Sequence, residues 1–289
     1  MKNHLLRVTL SFLVISLGGL NIVSAQISGD TFAKALETKK ANLTYIYSEA
    51  PGFAANQNGK VQGVCVDIMN DFEFFLLDKY GITVNSTMNK QHANNFTDYL
   101  NTVKASKNGV FGLSNTTITE KRKKEYSFSP PYITNIAMIL THKDVPTLES
   151  LDRIAEVFEG KTALTIKGTT NEEQILKIKA NYIPNLKIEY VNYFDEAMVK
   201  IDNSTDYFTN VDFTYYLSAL NNKKSIKRHP AGDQTAEKFG IIMPKNSDWV
   251  KPFNEFLTTA YETSSSYRKI IALHLGPNAL KLLDAVTAK

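Results

Sequence analysis

Short apolar runs and amphipathic helical stretches take turns along this chain, and that order admits few folds. Residues 42–47 (NLTYIY) read as a strand that leads into a loop at Pro51-Gly52. From Gly63 a helical pattern begins, with Cys65, Ile68, Met69, Phe72, Phe75 and Leu76 on one face at 3.6-residue spacing. A second strand follows at 81–84, a helix at 98–103, a glycine-bounded strand at 109–112 and a continuous apolar strand at 136–141. The same order then starts afresh. A strand at 162–166 meets a turn at 168–171 and a helix from Glu172, with two acids in its first turn to suit the helix dipole. A strand at 188–191 and a helix through Glu196, Ala197, Val199 and Ile201 come next. A strand and loop at 206–213, a helix at 215–220 and a strand ending at Pro244 follow, before three helical stretches at 249–261, 267–275 and 278–288. Strands separated by helices predict an α/β fold on parallel sheets, not a helical bundle or a sandwich.

The N-terminus predicts export. Lys2 and Arg7 precede a largely apolar run at 8–17, and Val23-Ser24-Ala25 offers small residues before Gln26. This is the pattern of a secretory signal peptide over residues 1–25, removed after Ala25. Thr9, Ser11, Ser16, Gly18 and Gly19 make the run a poor membrane span, and no cysteine lies near the cleavage site to carry a lipid. The formal net charge is +4, two units of which come from Lys2 and Arg7, so nothing in the charge balance favours nucleic acid or an anionic membrane. The single Cys65 forms no internal disulfide; set between Val64 and Val66, it reads as a small buried hydrophobe.

Residues 112–132 (GLSNTTITEKRKKEYSFSPPY) carry the clearest chemistry. Thr119 is a natural helix N-cap, which puts Arg122 in the first turn beside Asn115 and Thr117. An arginine fork, free first-turn amides and hydroxyls make a seat for a carboxylate or another small anion. The plainer alternative is that the six charges at 120–125 are a solvated helix face. A second grip on the same anion is expected at Gly168-Thr169-Thr170, where Gly168 permits close backbone approach and the amides of Thr169 and Thr170 open a helix. Its alternative is an ordinary capped helix start.

Asp212 ends a partly apolar strand with Tyr207, Phe208 and Val211, where a buried carboxylate needs a partner. It either meets the ammonium group of a ligand or caps the helix at 215–220. Phe53, Tyr132 and Tyr215 are the aromatics expected to flank such a cation. No catalytic or metal-binding residue is expected. His92, His142 and His229 are far apart in sequence, Gly112-Leu113-Ser114 is followed by Asn115 and not by a nucleophile-elbow glycine, and no Gly-Lys-Ser/Thr follows Gly168.

The Thr119–Arg122 segment with Phe128-Ser129-Pro130-Pro131-Tyr132 resembles the signature of family 3 of the type II periplasmic-binding-protein fold, the extracellular solute-binding proteins of amino-acid ABC importers. Gly59, Gly63, Asp67 and Ile68, the Gly168-Thr169-Thr170 turn, the aspartates Asp206 and Asp212, and Phe239-Gly240-Ile241 resemble further family segments in the correct order. The resemblance implies two lobes, residues 27–140 plus 237–289 and residues 141–236, joined by two crossover strands and closing on a ligand. It implies Arg122 on the ligand's α-carboxylate, a periplasmic monomer with no cofactor, an amino acid or related carboxylate as ligand, and an ABC permease as partner. Glu49-Ala50-Pro51-Gly52-Phe53 replaces the usual Tyr-x-Pro-Phe, and the spacing from Asp206 to Asp212 is one residue longer than is common. A dehydratase of prephenate-like acids on the same fold, with Glu49 as its acid, is the alternative function.

Overall fold

The computed structural model describes residues 26–287, with no side-chain description at 235, 236 and 285–287; the leader read at 1–25 lies outside the described residues. The strands are β1 (Lys40–Tyr47), β2 (Ala55–Gln57), β3 (Lys60–Gln62), β4 (Thr83–Asn89), β5 (Val110–Leu113) and β6 (Tyr126–Phe128). They continue as β7 (Ile133–His142), β8 (Thr162–Thr165), β9 (Lys187–Tyr190), β10 (Tyr207–Asp212), β11 (Ile226–Phe239) and β12 (Ile242–Pro244). Two five-stranded sheets result, ordered β4-β1-β5-β12-β6 and β11-β7-β10-β8-β9, with β2 and β3 as a separate hairpin. Helices clothe both sheets, so the fold is α/β with two lobes.

The parallel pairs are those that sequence order predicts: β1 with β4 and β5, and β8 with β9 and β10. The sheets are nevertheless mixed. β12 runs antiparallel to β5 and β6, and β7 runs antiparallel to β10 and β11. The reason is connectivity. The chain leaves the first sheet along β7 and returns along β11 to place β12 in the first sheet, so the traversing strands reverse direction.

The helix Val64–Tyr80 shows how the sequence fixes the first lobe. Gly63 starts it at φ 143°, and a Cβ there would sit 2.4 Å from the Phe53 carbonyl oxygen, so only glycine fits. Its buried face is Val64, Cys65, Ile68, Met69, Phe72 and Leu76. Phe72 stacks 4.3 Å from Phe253 and meets Trp249 at 6.3 Å, tying this helix to the C-terminal ones. Each phenylalanine so buried contributes about 1.5–3 kcal/mol. Cys65 is fully buried against the Tyr132 hydroxyl at 3.3 Å, and burial pushes its thiol up to about 12, which makes it a packing group at neutral pH.

In the second lobe, His229 on β11 is wholly buried. Its Nδ1 accepts the Leu148 backbone N–H at 3.0 Å, so Nε2 carries the proton and donates to the Thr141 hydroxyl at 2.7 Å. Burial, with Lys227 and Lys161 nearby, lowers its pKa to about 4. The unfolded ring titrates at about 6.5, so the stabilising effect of the neutral ring is complete above that pH and declines as pH falls toward 4. Ligand-free protein should therefore lose on the order of 2–3 kcal/mol from this group between pH 7 and pH 4. Thermal melts of wild type and His229→Phe across that range check it; parallel curves would refute the assignment.

Candidate functional site

The carboxyl ends of the parallel strands in both sheets face one cavity. Ser48 and Glu49 follow β1, Asn94 and Phe96 follow β4, and Asn115 and Thr117 follow β5. From the other lobe, Ile166 and Thr169 follow β8, Asn192 and Phe194 follow β9, and Asp212 ends β10. Ligands in open α/β sheets bind at such strand ends, where loops leave backbone groups and side chains unpaired. The cavity volume is about 50 Å³. That is well below the ~150 Å³ that admits a benzene, so a solute larger than a few waters needs the walls to part.

Arg122 stands on the first-lobe side. The Thr119 hydroxyl accepts the Arg122 backbone N–H at 3.1 Å, capping the short helix Glu120–Lys123 and fixing the arginine at its start. Its Nη1 donates to the Thr117 carbonyl at 2.9 Å and its Nη2 to the Gly168 carbonyl at 3.2 Å, across the cleft. The guanidinium lies 5.3 Å over the Phe96 ring. Burial lowers its pKa, and among the described residues no carboxylate comes within ion-pair range of it. Two carbonyl dipoles hold a half-buried cation whose nearest acids, Glu173 and Glu237, act on it only from beyond ion-pair range. An anionic ligand group supplies a close counter-charge.

On the second-lobe side, Gly168 takes φ 80°, and the Thr169 hydroxyl accepts the Glu172 N–H at 3.1 Å to cap the helix Thr170–Asn181. The amides of Thr170 and Asn171, in its first turn, have no intrahelical partner, and both residues line the cavity. Asp212 is 3% exposed. It occupies the N-cap position of the helix Phe213–Asn221, yet its side chain makes no capping bond. It accepts instead from Asn115 Nδ2 across the cleft and from Asn135 Nδ2 at 2.8 Å. Burial raises its pKa to about 7, and the neighbouring Glu237 adds to the rise. The capping alternative for Asp212 is thus set aside. With Thr117 and Thr170 sharing a hydroxyl contact of 3.2 Å, three polar contacts join the two faces.

A profile of the bacterial extracellular solute-binding proteins, family 3, matches residues 43–277. The chain belongs to that family. A search of curated proteins finds no match. Among solved structures, an ancestral arginine-binding protein bound to arginine shares 23% identity at a TM-score of 0.64, covering 81% of this chain and 97% of its own. The arginine-, lysine-, histidine-binding protein ArtJ from Geobacillus stearothermophilus gives 21% and 0.64, covering 81% and 95%. A binding component of an ABC transporter from Wolinella succinogenes, complexed with lysine, gives 17% and 0.66, covering 83% and 98%. At these identities the likeness is one of fold.

Within this family 3 chain, Asn115, Thr117, Arg122, Thr169, Thr170 and Asp212, all singled out from sequence, line one cavity. Phe53 and Tyr132 do not, which corrects their placement at the ligand. The turn after Pro51 folds back through the Ala50–Ala54 bridge, so Phe53 packs on Tyr132 and Phe239 in the core. Tyr132 is fully buried and donates its hydroxyl proton to the Ser114 carbonyl at 2.9 Å. The aromatic wall is made by Phe96, Tyr193, Phe194 and Tyr215, of which only Tyr215 was expected. Phe194 meets Tyr215 edge-on at 5.5 Å. Aromatics just beyond strand ends, in Asn94-Asn95-Phe96 and Asn192-Tyr193-Phe194, were the available signal.

Glu49 is half-buried at the rim, where Tyr47 Oη and the Asn56 N–H both donate to it at 3.2 Å. Asp206 lies outside the cavity, paired with the Ser204 hydroxyl at 2.9 Å. Among the described residues no cluster of three metal-ligating side chains occurs, and no helix is long and apolar enough to cross a membrane.

Proposed function

We propose that this protein captures a free amino acid between its two lobes and serves an ABC-type permease as an exported, monomeric, non-enzymatic binding protein. The observation that carries the reading is a pair of opposite charges on opposite walls of one cavity, the half-buried Arg122 and the buried Asp212, neither with an ion-pair partner among the described residues. A zwitterion answers both, its carboxylate to Arg122 and its ammonium to Asp212. Phe96, Phe194 and Tyr215 give the cavity an aromatic lining suited to a side chain that is apolar or cationic. The arginine and lysine named for the structural neighbours agree with this chemistry.

The lobes in this reading are residues 27–140 plus 237–289 and residues 141–236, moving about β7 and β11. The leader at 1–25 supports periplasmic delivery. Glu49 does not favour the dehydratase alternative, because donors already engage both of its oxygens. The test is a thermal-shift screen of residues 26–289 against amino acids, dipeptides and organic acids. A ligand at 100 times its Kd adds about 2.7 kcal/mol to the folded state. At least one amino acid should raise Tm while its deaminated analogue does not. Equal shifts from both, or none from any amino acid, would refute the zwitterion reading.

A further inference from the structure

Beneath the cavity, three side chains meet on one face of adjacent strands. Glu237 on β11 stands directly opposite Asn135 on β7, and Asp212 on β10 pairs with Ala137, two residues along β7 from Asn135. Cross-strand and diagonal partners share a face, so the three converge. The Asn135 amide donates to Asp212 Oδ1 at 2.8 Å and to Glu237 Oε2 at 2.9 Å. One NH₂ thus bridges an acid at the end of β10 and an acid on β11, one of the two strands that link the lobes. Asn135 is wholly buried, and its Oδ1 accepts from nothing among the described residues.

The surroundings do not balance two negative charges. Facing Asp212 are Asn115, Asn135 and Asn171, all neutral, with the Tyr215 phenol close by. Glu49 and Asp195 act on Tyr215 from its other side, and both are acids. Glu237 faces Asn135, the Thr170 hydroxyl and Glu173, with Arg122 the cation that acts on it most strongly. Burial raises the pKa of both acids, Asp212 to about 7. Two carboxylates this close and this dry titrate as a unit and hold one proton between them.

We propose that Asp212 and Glu237 share one proton through Asn135 in the ligand-free protein, and that an ammonium-bearing ligand expels it, so that capture is coupled to proton release. The carboxyl O–H bond breaks, the proton passes to solvent, and a ligand N–H takes its place as donor. The acid–ammonium part of the site keeps the same net charge, since one positive group leaves as another arrives. The coupling rests on the amino-acid reading above; the shared proton does not.

The experiment has two arms. In the first, carboxyl carbons of the ligand-free wild type are followed by NMR from pH 5 to 9, with Glu237→Gln and Asp212→Asn for assignment. One carboxyl should titrate near neutrality in wild type, about a pH unit lower in Glu237→Gln, and vanish in Asp212→Asn. Absence of any carboxyl titration between pH 6 and 8 in wild type overturns the shared proton. In the second arm, calorimetry with L-arginine as probe is run in phosphate and in Tris. Proton release should be about half at pH 7 and close to one at pH 6, and Kd should weaken about five-fold between them, against about two-fold in Glu237→Gln. Binding with no proton release overturns the coupling and leaves the amino-acid reading standing. No heat from L-arginine or any other common amino acid overturns that reading and the coupling with it, while the first arm still decides the proton.

Discussion

Asp212→Asn is expected to abolish amino-acid capture and, without ligand, to make the protein more stable at pH 8. The two effects share one cause. Asp212 is buried with neutral amide donors, and its pKa rises to about 7 chiefly through burial. An unfolded aspartate titrates at about 3.9, so between those values the folded state binds the extra proton. The group's favourable contribution is fully present below pH 3.9 and is lost as pH rises through 7. Above that, folding must bury an anion. Asparagine removes that cost, and the ligand-free variant should gain on the order of 1–3 kcal/mol over wild type at pH 8, a Tm rise of several degrees. At pH 5 the gain should be small, since wild type is then protonated. Calorimetry should meanwhile show affinity for the best amino acid lower by about 100-fold or more, because an ammonium loses its buried counter-charge. If Asp212→Asn keeps that affinity, or melts below wild type at both pH values, the assignment is wrong.

What the sequence made legible follows how local each interaction is. Thr119 was readable as a cap because a hydroxyl reaching an amide three residues on needs no tertiary information. The acids at 172 and 173 instead drew the second helix start to Glu172, two residues past its observed start at Thr170 behind the Thr169 cap. The buried face of Val64–Tyr80 was readable because six apolar residues keep helical spacing. β11 was not, since Lys227, Arg228, Pro230 and Gly232 break any strand pattern; it forms an edge of its sheet, where such residues are tolerated. The direction of β12 was hidden for a different reason. Sequence order shows helices between strands, but not that the chain crosses to another sheet before it returns. Phe53 was misplaced because a bridge between Ala50 and Ala54 turns its ring inward, whereas Phe96 and Phe194 reach the cavity from the first turns of the helices Phe96–Ala105 and Phe194–Asn203, whose placement tertiary packing sets. Asp212 looked like a cap because it sits at the N-cap position; only the cross-cleft Asn115 and the neighbouring Asn135 show where its carboxylate points.

Arg122→Lys should separate charge from geometry at the opposite wall. The guanidinium spends two of its five donors on the Thr117 and Gly168 carbonyls, and its plane lies over Phe96. The remaining donors can meet a carboxylate side-on with two parallel bonds. Lysine keeps the positive charge, but its three donors radiate from one nitrogen. It cannot satisfy both carbonyls and a two-point carboxylate contact together. Amino-acid affinity should fall by about 1–3 kcal/mol, roughly 5- to 150-fold, with Arg122→Ala at or beyond the upper end. The free protein should respond far less. Removing a half-buried cation with no carboxylate in ion-pair range relieves part of a desolvation cost, so Arg122→Ala should melt close to wild type despite two lost hydrogen bonds. Titration calorimetry with the amino acid that gives the largest thermal shift measures the first effect, and melts without ligand the second. Should Arg122→Ala bind that amino acid as tightly as wild type, the anion seat lies elsewhere, and the first-turn amides of Thr170 and Asn171 become the leading candidates for it.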